Sequence, residues 1–388
     1  MEFLILEKLY LEKLHLVNFR NHKNSQIEFG KNLNLIIGNN GQGKTNILEA
    51  ISYLSITKSF LSASDVNVCN VNENFFEVKG NFFLQDESEY NVCVQYKKPS
   101  HEKIISLNKK KIETKKIIIG KFPIVVLSPY HYSLTFGVPS ERRAFLDLVL
   151  SQTSKSYLDD IIAYKKILRQ RNSLLYQFKE RKFFDTELLL TWDEQIISVG
   201  SRIMKKRNDF LNVFQNFLYN AYLFITDENE FPSLNYKTQF HLNNNISLDE
   251  VQNLFSSEVG KNKEKEKILY STLVGPHLDD IEFKINNFDV KKFASQGQHK
   301  TFLIAIKIAE LNFLKNYLQK NPILLLDDVF SELDEYRTKK VFEMIHNSSQ
   351  TFITSTSQNF VNFSFNEDAK IISVENGNIF EFETKTIF

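Results

Sequence analysis

The chain has 388 residues, 42% of them apolar and 24% charged, and its formal net charge is +1. That length exceeds what one core usually serves, so two lobes with sizeable cores are expected. The near-neutral balance excludes a broadly basic nucleic-acid binder and leaves only local patches for that role.

Thirty-five Phe against twelve Gly reads as the drift of an AT-rich coding sequence. Cys69 and Cys93 lack CxxC spacing and nearby histidines, which fits half-buried residues in a reducing compartment. No basic head precedes the short apolar run at the N-terminus, so no signal peptide is expected and a cytoplasmic place is. No stretch of about 20 apolar residues is present to span a membrane.

Leu9 to Phe29 reads as strand, with Leu14, Leu16 and Phe19 as one apolar set and Ile27 and Phe29 as another. A buried strand follows over 32–37. The next eight residues, Gly38-Asn39-Asn40-Gly41-Gln42-Gly43-Lys44-Thr45, fit G-x-x-x-x-G-K-[ST]. Such a loop wraps a phosphate with its own N–H groups, and its glycines permit the tight turns this requires. A helix over 44–54 is predicted from Ile47, Leu48, Ile51 and Leu54, and its N-terminus faces the same anion. In this motif Lys44 reaches the β and γ phosphates and Thr45 offers a hydroxyl to Mg²⁺.

Residues 75–127 alternate as antiparallel sheet. From Ser140 to Phe224 the period becomes helical, and Thr226 to Lys267 reads as a polar, mobile stretch. The Lys261–Lys267 run is expected to be a solvated face. Sheet resumes at 281–293. Ser295-Gln296-Gly297-Gln298 then opens a helix to about Leu318, either as an anion-binding start or as an ordinary N-cap on Ser295. Ile323–Leu326 forms a buried strand that delivers Asp327 and Asp328 at its end. Asp327 is the candidate Mg²⁺ ligand, and Asp328 the group that polarises an attacking water; a plain helix cap is the alternative. A last core strand covers 351–354.

Together these three motifs resemble the ATP-binding-cassette ATPase heads. The resemblance implies that Ser295, Gly297 and Gln298 cap the γ-phosphate of a partner subunit's ATP, so that two nucleotides join a head-to-head dimer. Ser331-Glu332-Leu333-Asp334 matches the segment that crosses to the other subunit. Strings along most of the chain are more specific. They include Asn18-Phe19-Arg20-Asn21, Arg142-Arg143-Ala144-Phe145-Leu146-Asp147, Leu273-Val274-Gly275-Pro276-His277 and Leu325-Leu326-Asp327-Asp328-Val329-Phe330. These are similar to the RecF family of bacterial recombinational-repair proteins.

That resemblance implies a weak, DNA-stimulated ATPase that dimerises with ATP·Mg²⁺ on double-stranded DNA near single-strand/double-strand junctions. RecO and RecR are the implied partners, and loading RecA during replication restart and the SOS response is the implied task. The implied fold is an α/β phosphate-loop head, a mixed sheet with flanking helices, over 1–135 and 268–388. An all-helical lobe is inserted over 136–267. The chain departs from the family pattern at Leu278 and Leu61, where arginines are usual, and at Tyr130, where an acid usually follows the Ser-Pro. Thr354-Ser355-Thr356 stands where many cassette ATPases carry a switch histidine, which implies slow turnover. Residues 1–8 precede the usual family start.

Candidate DNA patches are Lys109–Lys111 with Lys115 and Lys116, Lys165 and Lys166 through Arg169 and Arg171, and Lys205, Lys206 and Arg207. Rival readings are a transporter ATPase subunit, an SMC-type tether and a nuclease. The first lacks its Gly-Gly-Gln signature here, the second its long heptads, and the third its added acidic metal domain.

Overall fold

The computed structural model describes residues 7–62, 64–84, 88–181, 185–226, 230–330, 334–345, 349–356 and 369–382. It divides into two compact units, one of residues 1–131 with 304–388 and the other of residues 132–303. The sequence placed 268–303 in the ATPase lobe; by contact these residues belong to the second unit.

The first unit holds two six-stranded sheets. Strand β1 (Leu9–Phe19) and β2 (His22–Glu28) form a hairpin, β3 (Leu33–Ile37) leads into the phosphate loop, and α1 (Lys44–Ile56) follows it. Then come β4 (Phe75–Leu84), β5 (Glu89–Lys97), β6 (Glu102–Leu107), β7 (Lys110–Lys111) and β8 (Ile124–Leu127). The antiparallel sheet runs β2-β1-β4-β5-β6-β7. Leu14 pairs with Ile27, which joins the two apolar sets read from the sequence on one buried face. Strand β8 was expected in this sheet but pairs parallel with a later strand instead. All four of its residues are buried, as a strand covered on both faces requires.

The second unit begins with α2 (Ser133–Phe136) and α3 (Pro139–Thr153), then the long helices α4 (Lys155–Arg181) and α5 (Thr186–Thr226). After β9 (Pro232–Lys237) comes α6 (Leu248–Leu269), then β10 (Asp280–Ile285), β11 (Phe288–Asp289) and α7 (Val290–Phe293). The lobe is therefore helical apart from one three-stranded sheet, β11-β10-β9. The stretch expected to be mobile contains β9 and α6. Helix α6 starts with a reciprocal capping box between Ser247 and Glu250, and it buries Val251, Phe255 and Val259 at helical spacing. Helix α8 (Gln296–Leu318) carries the chain from the second unit into the first.

The first unit closes with β12 (Ile323–Asp327), α9 (Glu335–Ile345), β13 (Thr351–Ser355), β14 (Ala369–Glu375) and β15 (Asn378–Phe382). Its second sheet runs β15-β14-β3-β13-β12-β8, parallel except for the β14–β15 pair. Helix α1 packs against β1, β4 and β5 of one sheet and against β12 and β13 of the other. Ile47, Leu48, Ala50, Ile51, Tyr53 and Leu54 are all fully buried, and so are Glu49, Ser52 and Ser55, so this helix is buried all round rather than on one stripe. No described helix is long and apolar enough to cross a membrane.

Candidate nucleotide site

Parallel pairing sets the site. Strand β3 lies beside β13, and β13 beside β12, with Asp327 opposite Thr354. The phosphate loop after β3 and the acids after β12 therefore open at the same edge of the sheet, where ligands bind in open α/β sheets.

The loop is tightly held. Gly43 is the N-cap of α1 at φ 110°, and a Cβ there would lie 2.5 Å from Asn21 Oδ1. A Cβ on Gly38 would lie 2.3 Å from the Val374 carbonyl. Two hairpin turns brace the loop from outside. The Asn21 amide donates to Gln42 O at 2.8 Å and accepts from Asn46 Nδ2 at 2.8 Å. The turn between β14 and β15 supplies Gly377 N, which donates to Gln42 O at 3.0 Å. His22 is fully buried between the Gly43 and Gly377 carbonyls, 3.1 Å and 3.0 Å from its ring nitrogens. Burial lowers its pKa more than the two carbonyls raise it.

Lys44 Nζ donates to Gly38 O at 2.7 Å and Asn39 O at 2.9 Å. Burial lowers its pKa, opposed by Asp328 and Asp327. Thr45 and Thr354 hydroxyls both donate to Asp327 Oδ1, at 2.7 Å and 2.8 Å. Burial raises the Asp327 pKa in spite of those two bonds. The Asp328 N–H donates to Thr354 Oγ1 at 2.9 Å, and Asp328 itself has φ +48°. A non-glycine residue in the left-handed region is strained, and such strain clusters at functional sites.

These groups enclose a cavity of about 170 Å³, lined by Asn40, Gly41, Gly43, Lys44, Thr45, Asp327, Asp328 and others. Its lining comes wholly from the first unit. A buried carboxylate 2.7 Å from a threonine hydroxyl is an oxygen-only donor pair suited to Mg²⁺, which binds through one or two carboxylates plus substrate phosphates. The residues present thus fit both a polyphosphate and its magnesium ion.

Not every predicted site residue lines the cavity. Gly38 and Asn39 act through their carbonyls on Lys44, and Gln42 is taken up by its braces. Ser295, Gly297 and Gln298 lie in the second unit. There Ser295 N donates to Gln298 Oε1 at 2.9 Å and Gln298 N to Ser295 Oγ at 3.2 Å, a reciprocal cap at the start of α8. This is the geometry of the N-cap alternative, and Ser295 is exposed. Of Ser331-Glu332-Leu333-Asp334, the first three lie outside the described residues. His22 is a site residue that sequence reasoning missed; Asn21 entered only within a family string, and Thr354 only as standing where a switch histidine is usual.

Two of the three basic patches need correction. Arg171 and Arg207 are buried, and each is locked in ion pairs within the second unit, with Asp193 and Glu266 and with Asp147 respectively. Neither can meet a DNA phosphate as placed here.

The profile described as the RecF/RecN/SMC N terminal domain matches residues 10–379. The DNA replication and repair protein RecF of Chloroherpeton thalassium is 42% identical over 349 residues, 89% of this chain and 94% of that protein. RecF of Streptococcus gordonii is 35% identical over 96% of this chain and 100% of its own. Among solved structures, the recombination mediator protein RecF-ATPrS in the RecFOR pathway superposes with a TM-score of 0.89 at 32% identity, over 97% of this chain and 99% of that one. The Smc head domain from Pyrococcus furiosus shares the fold at a TM-score of 0.56 and 17% identity, over 97% of this chain and 96% of that one.

Proposed function

This chain belongs to the RecF family of DNA replication and repair proteins, and on that premise we propose that it is an ATP-gated switch for holding duplex DNA. The observation that carries this reading is the size and make-up of the Lys44 cavity. At about 170 Å³ it falls below the roughly 300–1,000 Å³ of a site that encloses a whole small molecule. It suits the phosphate end of a nucleotide and leaves the rest to be covered from outside. A second copy, docking the start of its own α8, supplies that cover.

In this reading the N–H groups of 40–45 cradle the phosphates and Lys44 exchanges its two carbonyl partners for phosphate oxygens. Thr45 and Asp327 hold Mg²⁺, which neutralises phosphate charge. Asp328 orients the attacking water, and Thr354 fixes both acids through one hydroxyl. Ser295, Gly297 and Gln298 of the second copy cap the γ-phosphate. Hydrolysis then needs the dimer, so turnover is slow and binding is the main output. Double-stranded DNA near single-strand junctions, RecO and RecR are the partners, the loading of RecA is the task, and the cytoplasm is the setting.

The test is molecular mass in solution for wild type and Asp328→Asn, with and without ATP·Mg²⁺. The variant should accumulate as an ATP-dependent dimer. A variant that binds ATP yet stays monomeric would remove the shared-site mechanism.

A further inference from the structure

Residues 97–121 carry nine lysines and two glutamates, a local net charge of +7 in a chain whose total is +1. All of them lie in the first unit, from the end of β5 through β6, β7 and the turn beyond. In the second unit Lys165 pairs with Asp147, Lys205 with Asp209 and Lys206 with Asp160, although Lys166 and Arg169 are exposed. Over 97–121 the acids are few, two against nine lysines. Glu102 lies 4.0 Å from Lys97 and 3.9 Å from Lys111, while among the described residues Lys109, Lys110 and Lys115 are exposed and have no ion-pair partner.

Lysines on an edge strand also guard against sheet addition, and that accounts for Lys110 and Lys111 on β7. It does not account for the open cleft of about 550 Å³ beside them, which Lys58, Lys103 and Lys115 line together with the 57–62 loop. Asp65, the one acid among the described lining residues, accepts through Oδ1 from Lys103 at 2.8 Å and from the Tyr53 hydroxyl at 2.7 Å. Lys103 also donates to Thr57 O at 2.9 Å, so it covers the carbonyl end of α1 that would otherwise repel an anion.

The cleft and the phosphate loop share one helix. Helix α1 begins with Lys44 and Thr45 and ends at the cleft wall with Ile56. At its middle the fully buried Glu49 takes a two-pronged ion pair from Arg20, at 2.8 Å and 2.7 Å, and a hydrogen bond from Ser59 in the cleft wall. Arg20 neighbours Asn21, which braces the loop at Gln42.

We infer that the sugar-phosphate backbone of duplex DNA lies across β6 and β7, with phosphates on Lys109, Lys110 and Lys115 and the cleft receiving the backbone as it passes α1. This rests on the DNA-holding reading above and names the surface that does it. Contacts of this kind read charge and not sequence.

The experiment measures fluorescence anisotropy of a labelled blunt duplex with the full-length protein and ATP·Mg²⁺, over a series of salt concentrations. Lys109→Gln/Lys110→Gln/Lys115→Gln should weaken binding about 10- to 100-fold and flatten the log–log salt slope by about 3, near 0.9 per lost phosphate contact. ATP affinity and thermal midpoint should stay at wild-type values. Lys205→Gln/Lys206→Gln should bind DNA as wild type does. Lys109→Arg/Lys110→Arg/Lys115→Arg should bind DNA as wild type does, because it keeps the charge. Wild-type affinity and slope in the glutamine variant would overturn this surface while leaving the DNA-holding function intact. So would loss of binding in the arginine variant. A wild-type protein that bound no duplex in any nucleotide state would fail earlier, and would overturn the DNA-holding reading with this surface.

Discussion

Two buried cationic side chains, Arg171 and Lys44, sit in opposite circumstances. Arg171 is fully buried in the second unit, and its guanidinium is used up by side chains of that unit. It donates to Asp193 at 3.0 Å and 2.7 Å, to Glu266 at 2.5 Å and to Thr272 at 2.8 Å. Burial alone would lower its pKa, and Glu266 with Asp193 more than reverse that. Lys44 is 7% exposed, its hydrogen bonds among the described residues go to two carbonyls of its own loop, and burial lowers its pKa in spite of Asp328 and Asp327. A buried charge that its neighbours neutralise holds a fold together; a buried charge that borders a cavity and is still short of partners awaits a ligand.

The largest effect that tests this contrast is on stability. Arg171→Met leaves Glu266 buried without its cation and Asp193 with only Lys263 at 3.7 Å, which should cost about 3–5 kcal/mol in a urea unfolding experiment. ATP affinity, measured where the variant is folded, should hold. If instead stability held and DNA binding fell, the cluster would be functional and the contrast would break.

Lys44→Ala comes next. It removes a cation that bonds two phosphate groups in the proposed complex, and charge-assisted bonds contribute about 1.5–3 kcal/mol each. ATP affinity by calorimetry should fall about 100-fold or more, with the unfolding midpoint little changed. A fall in stability matching that of Arg171→Met would place Lys44 with the structural charges.

How much of this was visible in the sequence follows from the distance over which each group is recruited. The phosphate loop is eight consecutive residues whose glycines answer a local need, so it could be read without a fold. Helix α6 also had a local sign, Ser247 three residues before Glu250, but the polar run beyond it outweighed that sign. Thr354 reaches Asp327 only through the β12–β13 register, and Asn21 reaches Gln42 through a hairpin on the other sheet. No spacing in the chain reports either. In the same way Arg171 and Lys165 look alike as charges on one helix. What separates them is Asp193 and Glu266, 22 and 95 residues away.

The smallest expected effect is also the one with the least intuitive sign. Asp327 is 4% exposed, and burial holds its pKa above the ordinary carboxylate value. Its contribution to folding is therefore fully present below the unfolded carboxylate pKa and is lost as pH rises through the raised folded value. At neutral pH and without nucleotide, the ionised Asp327 opposes folding. Asp327→Asn keeps an oxygen to accept from Thr45 and Thr354 while removing the charge. Without nucleotide the variant should be more stable than wild type at pH 8, and that gap should close in acid. With ATP·Mg²⁺ the order should reverse, because only the carboxylate gains from the cation. Thermal midpoints of both proteins across pH, with and without ATP·Mg²⁺, read all four corners. A variant less stable than wild type in the absence of nucleotide would mean that Asp327 is already compensated, as Arg171 is, and the distinction between the two sites would lose its physical basis.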